Sequence, residues 1–396
     1  MRCIFLKILI VSVLLNLLIT PLNESLAAMC GYISLISTVL LPIELLRYKH
    51  NYMEKKQFII IASLAVIVLF NSRKSFLNLR RSEVENVIKA VVSFFTFLIA
   101  LSVGNIQYSQ KDLRFYFFVV RLFAIILILY TIIPFDFQYS IVNEYGNRQF
   151  TLSMGNPNAT ATKIIFCIIL LCIENRILKN KYLKTFNLFL IMGLLYVIWM
   201  LQSRTALFCS LIYIIYSFGF KIQVRKWMIN VAWSIPLLFI PLQLFFAKYS
   251  DFEILGKSLA TGRQEIFSDF FDLISESPFR FILGDFIGNQ LGNGHNIYFT
   301  IIFNFGFIGL ILFILFWNNE NKTFKECTVI ANDARMAWIV FVIHAMAEAA
   351  VLSGAFTFSV ILILLNRMTK DKILENPKES LRYDFFAKKR AKEYFR

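Results

Sequence analysis

The chain has 396 residues, 58% of them hydrophobic and 17% charged, with a formal net charge of +16 at pH 7 and a mean hydropathy of +0.64. Soluble domains average about 45–50% apolar residues, so a soluble globule with one anchor is excluded, and continuous apolar runs argue against a barrel of alternating strands. The Lys and Arg surplus falls mostly in short connections between apolar blocks, where it reports membrane topology rather than nucleic-acid binding.

A membrane-spanning helix needs about 20 apolar residues. The first block, residues 1–22, has a basic start and is followed by Ser25-Leu26-Ala27, which resembles a signal-peptidase site. Further blocks cover roughly 25–46, 57–71, 87–103, 113–134, 158–173, 185–202, 204–220, 227–247, 296–317, 334–349 and 352–368. The 57–71 and 158–173 blocks are short for a full span. The expected fold is therefore all-α: a polytopic transmembrane bundle of about twelve spans, forming one membrane domain over 1–396. The six cysteines form no CxxC pair and no extracellular framework, which speaks against disulfides and metal clusters. Three histidines in the whole chain leave little for a His-rich metal site, and no cofactor is expected.

Basic residues in short loops mark the inside. Arg176, Lys179, Lys181 and Lys184 mark one such loop, and Lys221, Arg225 and Lys226 the next. Lys322 and Lys325 mark a third, and the 369–396 tail carries Lys388-Lys389-Arg390. Alternation then puts 135–158, the Ser203-Arg204 turn and the large polar loop 248–295 outside. The same count places 71–86 outside although it carries Arg73, Lys74, Arg80 and Arg81, so the topology of 47–114 stays open.

The large loop is the longest polar stretch between apolar blocks. Gly262-Arg263 precedes an amphipathic pattern of Ile266, Phe270 and Ile274 with Phe267 and Phe271, and Pro278 follows its end. This predicts a helix lying along the membrane surface, whose N-terminus suits an anion. Gly284, Gly288, Gly292 and Gly294 lead to His295-Asn296 at the next apolar block. His295 there fits a general base for a hydroxyl, with a backbone-bonded interfacial histidine as the plainer alternative. Arg204 occupies a tight hairpin, where a guanidinium either snorkels to headgroups or holds a diphosphate through forked donors.

Ionisable groups inside apolar blocks are functional candidates by default. Arg121 lies within 113–134, and His344 and Glu348 fall on one helix face at i, i+4 within 334–349. Either Arg121 pairs with Glu348 structurally, or these three residues form a polar path toward the site.

In order and spacing, Gly155-Asn156-Pro157-Asn158, Ser203-Arg204-Thr205-Ala206-Leu207, Thr261-Gly262-Arg263, His295-Asn296-Ile297-Tyr298 and Phe305-Gly306-Phe307-Ile308-Gly309-Leu310 resemble the O-antigen ligase/polymerase family of bacterial membrane glycosyltransferases. The resemblance spans roughly residues 150–315. It implies a C-type glycosyltransferase-like fold, an undecaprenyl-diphosphate-linked glycan as donor, and no metal. It also implies that Arg204 and Arg263 hold the diphosphate and that His295 assists the acceptor hydroxyl. On the chemistry of the residues alone, Glu265 is a reserve for taking that proton.

The expected function is a surface-polysaccharide (O-antigen) polymerase at the external face of the bacterial inner membrane. Its partners would be undecaprenyl-diphosphate-linked oligosaccharide, membrane lipids and a chain-length regulator, with no nucleic acid. A ligase that transfers the glycan to lipid A–core is one alternative, and a lipid-linked oligosaccharide flippase is the alternative of another class.

Overall fold

The computed structural model describes residues 4–47, 53–75, 81–103, 110–133, 139–142, 148–150, 157–219, 222–246, 253–254, 257–258, 272, 277–285, 296–321 and 329–346. Among these the chain is helical apart from two small antiparallel hairpins. The helices are α1 (Ile4–Ile19), α2 (Glu24–Leu46), α3 (Lys55–Ser75), α4 (Arg81–Ser102), α5 (Gln110–Ile132), α6 (Pro157–Ile177), α7 (Lys181–Met200), α8 (Arg204–Gly219), α9 (Lys226–Phe246), α10 (Pro278–Leu283), α11 (Ile297–Asn321) and α12 (Val329–His344). Strands β1 (Tyr139–Val142) and β2 (Arg148–Phe150) pair between α5 and α6, with a register irregularity between Tyr139 and Ile141. Strands β3 (Glu253–Ile254) and β4 (Lys257–Ser258) pair in the large loop.

Four of the described helical stretches, Glu24–Leu46, Lys111–Ile132, Lys181–Met200 and Ile297–Asn319, are long and apolar enough to cross a membrane. Their exposed faces are apolar too. On α7, Phe189, Met192, Tyr196 and Trp199 recur at helical spacing and are all at least half exposed. A stripe of that size would be costly in water and fits lipid.

The core forms around α6. From Ala161 to Ile173 every residue is buried except Lys163, which is the pattern of a helix packed on all sides. Its neighbours are α5, α7, α8 and α12. This explains the apparent shortness of the 158–173 block. The helix continues through Glu174, Asn175 and Arg176, and Glu174 and Arg176 find charged and polar partners inside the bundle. The 57–71 block likewise lengthens to Lys55–Ser75.

At the start of the chain, α1 packs antiparallel on α2. Glu44 accepts hydrogen bonds from the backbone N–H groups of Ile4 (2.8 Å) and Phe5 (3.0 Å), supplying the acceptor that the first turn of α1 lacks. Ser12 and Ser34 share a hydroxyl bond of 2.8 Å, and Asn16 donates to the Ala27 carbonyl. Lys7 pairs with the buried Asp112 of α5. Residues 4–19 are thus integrated into the bundle, and Ser25-Leu26-Ala27 lies in the first turn of α2 after its Asn23 cap.

The block at 296–317 forms two helical pieces rather than one rod. Gly306, at φ 68° and ψ −172°, breaks α11, a conformation accessible essentially only to glycine. The cause is a backbone crossing. Gly284, at φ 75°, ends α10 against this break, and the Asp285 amide donates to the Phe303 carbonyl at 2.8 Å. Pro278 both follows the amphipathic pattern of the large loop and starts α10, where its missing N–H and fixed φ suit a first helical position.

Candidate functional site

At one end of the α6 bundle, polar residues fix the register of three helices. Arg176 of α6 pairs with Asp333 of α12. It also donates to the last-turn carbonyls of α8, to Tyr216 (3.0 Å) and Ser217 (2.9 Å), which have no intrahelical partner. Its guanidinium stacks over the Tyr216 ring at 4.8 Å. The Tyr216 hydroxyl donates to Asp333 at 3.2 Å, and Asn332 donates to the Tyr216 hydroxyl at 2.6 Å. Burial of these groups is affordable because each charge has several partners.

The other end of the same helices carries the candidate site. On α6, Thr162 and His344 of α12 share a 3.2 Å bond to the histidine Nε2. Thr162 and Arg176 lie four turns apart, about 21 Å at 1.5 Å per residue, and face the same partner helix. Arg176 bonds Ser217, 41 residues further along the chain. With α6 and α8 parallel, the same offset sets Arg204 level with Lys163. Arg204, Lys163 and His344 therefore share one end of the bundle.

Arg204 is held there by a tight corner. The Leu201 amide closes α7, Gln202 adopts φ 53°, and Ser203, almost fully buried, starts α8 by accepting from the Leu207 amide at 2.9 Å. Arg204 is the first residue of α8 and half-buried. A cation at a helix N-terminus adds to the positive end of the dipole rather than neutralising it. This end thus suits an anion.

Asn296 brackets a second junction and is fully buried. Its amide donates to the Pro236 carbonyl of α9 (2.7 Å) and the Met346 carbonyl (3.2 Å), and its Oδ1 accepts from the Tyr298 amide (2.9 Å). The Ile297 amide donates to the Ala345 carbonyl at 3.0 Å. The start of α11 therefore caps the end of α12. Tyr298 adds a hydroxyl bond to the Trp233 carbonyl. In α9, which carries Pro236 and Pro241, the Pro236 and Trp233 carbonyls thus accept from the Asn296 and Tyr298 side chains. Trp233, Trp317 and Trp338 cluster at tilted and edge-on angles, with Trp317 and Trp338 centroids 4.5 Å apart.

Two expectations change. Arg121 pairs with Glu174 of α6, at 3.3 Å, and Glu174 also accepts from Asn187 of α7 at 2.9 Å. Glu348, the partner expected from the sequence, lies outside the described residues. Regular helix in α12 ends at His344, with Ala345 and Met346 in a turn, because the carbonyls there are taken by α11. Among the described residues Arg121 and His344 meet separate partners, Glu174 and Thr162, which lie twelve residues apart on α6, about 18 Å. His295, Glu265 and Arg263 lie outside the described residues.

Lys163, Glu174 and Asp333 have no sequence motif. Their one signal is charge within or bordering an apolar block, the same rule that singles out Arg121. Among the described residues no group of three or more His, Cys, Asp or Glu is placed to hold a metal ion, and Cys30, Cys167, Cys172 and Cys209 are free thiols. Comparison with family models, with characterised proteins and with solved structures finds no match.

Proposed function

We propose that the chain is a membrane glycosyltransferase of the O-antigen ligase/polymerase type. In this reading it is a surface-polysaccharide polymerase that moves an undecaprenyl-diphosphate-linked glycan onto another lipid-linked repeat unit. The reaction takes place at the external face of the bacterial inner membrane. The single observation that carries the reading is the position of Arg204, a guanidinium at the N-terminus of α8 on the end of the bundle away from the Arg176 clamp. It is supported by the order of the sequence motifs around the 248–295 loop and by the basic loops that put the Arg176 end inside.

The chemistry needs little beyond these groups. The acceptor hydroxyl oxygen attacks the anomeric carbon of the donor sugar, and the bond from that carbon to the diphosphate oxygen breaks. The lipid diphosphate leaves with the electron pair, and the hydroxyl proton passes to a base. Arg204 and Arg263 hold the diphosphate and stabilise the charge that grows on it. His295, or Glu265, takes the proton. In-line attack inverts the anomeric centre. The accompanying architecture is about twelve spans in a C-type arrangement, with the 369–396 tail inside and a chain-length regulator as partner.

One observation favours a second reading. A broken apolar helix such as α11 is a feature of transporters, which a lipid-linked oligosaccharide flippase would share. The deciding experiment uses purified protein with a defined lipid-diphosphate-linked repeat unit and chelator present. A product ladder supports the polymerase. Transfer only after lipid A–core is added makes the protein a ligase. Neither product, beside an active reference enzyme, with translocation of the lipid-linked repeat in proteoliposomes, makes it a flippase.

A further inference from the structure

The reaction above leaves one cation of the bundle without a task. Lys163 stands in the second turn of α6, half-buried, the one residue between Ala161 and Ile173 that is not buried. No described residue forms an ion pair or hydrogen bond with its ammonium. One turn earlier, the Thr160 hydroxyl is fully buried and also lacks a hydrogen-bond partner. Residues three apart are neighbours on a helix surface, so the two unpartnered groups sit side by side.

Their surroundings are defined by helical phase. Lys163 and Glu174 are eleven residues apart, three turns, and therefore on one face of α6. Glu174 meets Arg121 of α5 and Asn187 of α7 there. In the same groove a Cβ on Gly193 of α7 would lie 2.5 Å from Ile128 of α5, so these helices touch between the two levels. Lys163 is thus at the Arg204 end of the α5/α6/α7 groove, where α5 and α7 both finish. On the same helix and facing it, Arg121 has Glu174 and Arg176 has Asp333 as counter-charges. An ammonium inside an apolar bundle without a counter-charge is costly, and here it stands beside a hydroxyl that also lacks a partner. Both groups can donate to a phosphate oxygen, the ammonium as a charge-assisted donor.

We propose that Lys163 and Thr160 form a seat for the phosphate of a lipid, distinct from the Arg204 corner on the α8 side of the same helix. The ligand chemistry is a phosphate ester or diphosphate on an apolar tail. Two lipids supply it, an ordinary anionic phospholipid and a polyprenyl diphosphate. The seat binds lipid whether or not the protein transfers glycan.

The test is lipid retention by the full-length protein in phosphatidylcholine nanodiscs, titrated separately with phosphatidylglycerol and undecaprenyl diphosphate and read by native mass spectrometry. Wild type is expected to retain at least one of them. Lys163→Met is expected to weaken that retention about tenfold or more, Lys163→Arg to keep most of it, and Thr160→Val to weaken it a few-fold. Preference for undecaprenyl diphosphate makes the seat part of the substrate path. Preference for phosphatidylglycerol, or equal retention, makes it a structural lipid seat; both uphold it. Equal retention by wild type and Lys163→Met, or no retention by wild type, overturns it. If Lys163→Met lowers the melting temperature, Thr160→Val decides, and unchanged retention there overturns the seat.

Discussion

Gly284 and Gly306 meet backbone to backbone. A Cβ on Gly306 would lie 2.3 Å from the Ile282 carbonyl, and one on Gly284 would lie 2.5 Å from the Gly306 nitrogen. Both residues also hold positive φ. Gly306→Ala and Gly284→Ala should each destabilise the protein by at least about 1–3 kcal/mol from the backbone conformation alone. Gly219, whose added Cβ meets nothing within 4 Å, is the control, and Gly219→Ala should change stability little. Thermal unfolding in detergent micelles measures all three. Equal melting temperatures for Gly306→Ala and Gly219→Ala would refute the crossing.

The Arg176–Asp333 pair sets the register that places the site. Asp333 has 1% of its side chain exposed and Arg176 13%, so removing one partner strands a buried charge. Arg176→Leu and Asp333→Leu should each cost about 3–5 kcal/mol, and the double variant should recover a large part of the loss. A double-mutant cycle on melting temperature checks this. Strict additivity of the two losses would mean that the pair is not coupled.

Asn296 separates structural from catalytic effects beside His295. Asn296→Asp keeps the shape but turns two donations, to Pro236 and Met346, into oxygen facing oxygen. It should destabilise more than Asn296→Ala, which leaves unsatisfied groups at about 1–3 kcal/mol each. Both variants should lower transfer and melting temperature together. His295→Ala, if the residue is only the base, should lower transfer and leave the melting temperature unchanged. A His295→Ala variant with near-normal transfer would remove it from the mechanism.

Arg204→Ala and Arg263→Ala should each reduce glycan transfer by about 10²–10³-fold at unchanged protein level, the scale of losing one donor to developing charge. Arg204→Lys should restore only part, because an ammonium does not reproduce the forked contact. Normal long-chain product from either alanine variant rules out the diphosphate clamp.

The Gln202 corner is the one described position where a residue other than glycine has positive φ. Gln202→Gly should be neutral or stabilising, while Gln202→Val should cost about 1–2 kcal/mol and reduce transfer by shifting Arg204. Unfolding and product yield, measured on the same preparations, show whether the two effects move together.

Composition and the length of the apolar runs alone determined that this chain is a set of lipid-compatible helices and where most of them lie. Burial of apolar surface needs no particular neighbour, so it can be read from one strip of chain. Arg204 at a helix start and Asn296 at a junction were also legible, since turn residues and caps act locally. The tertiary structure alone decided which charge meets which. Arg121 took Glu174, Arg176 took Asp333, and Lys163 took neither, because a pair needs two helices in register and periodicity reports only the faces of one. The break at Gly306 was equally hidden. A glycine in an apolar run is compatible with a straight helix, and it becomes a break when another backbone, here at Gly284, crosses it at contact distance.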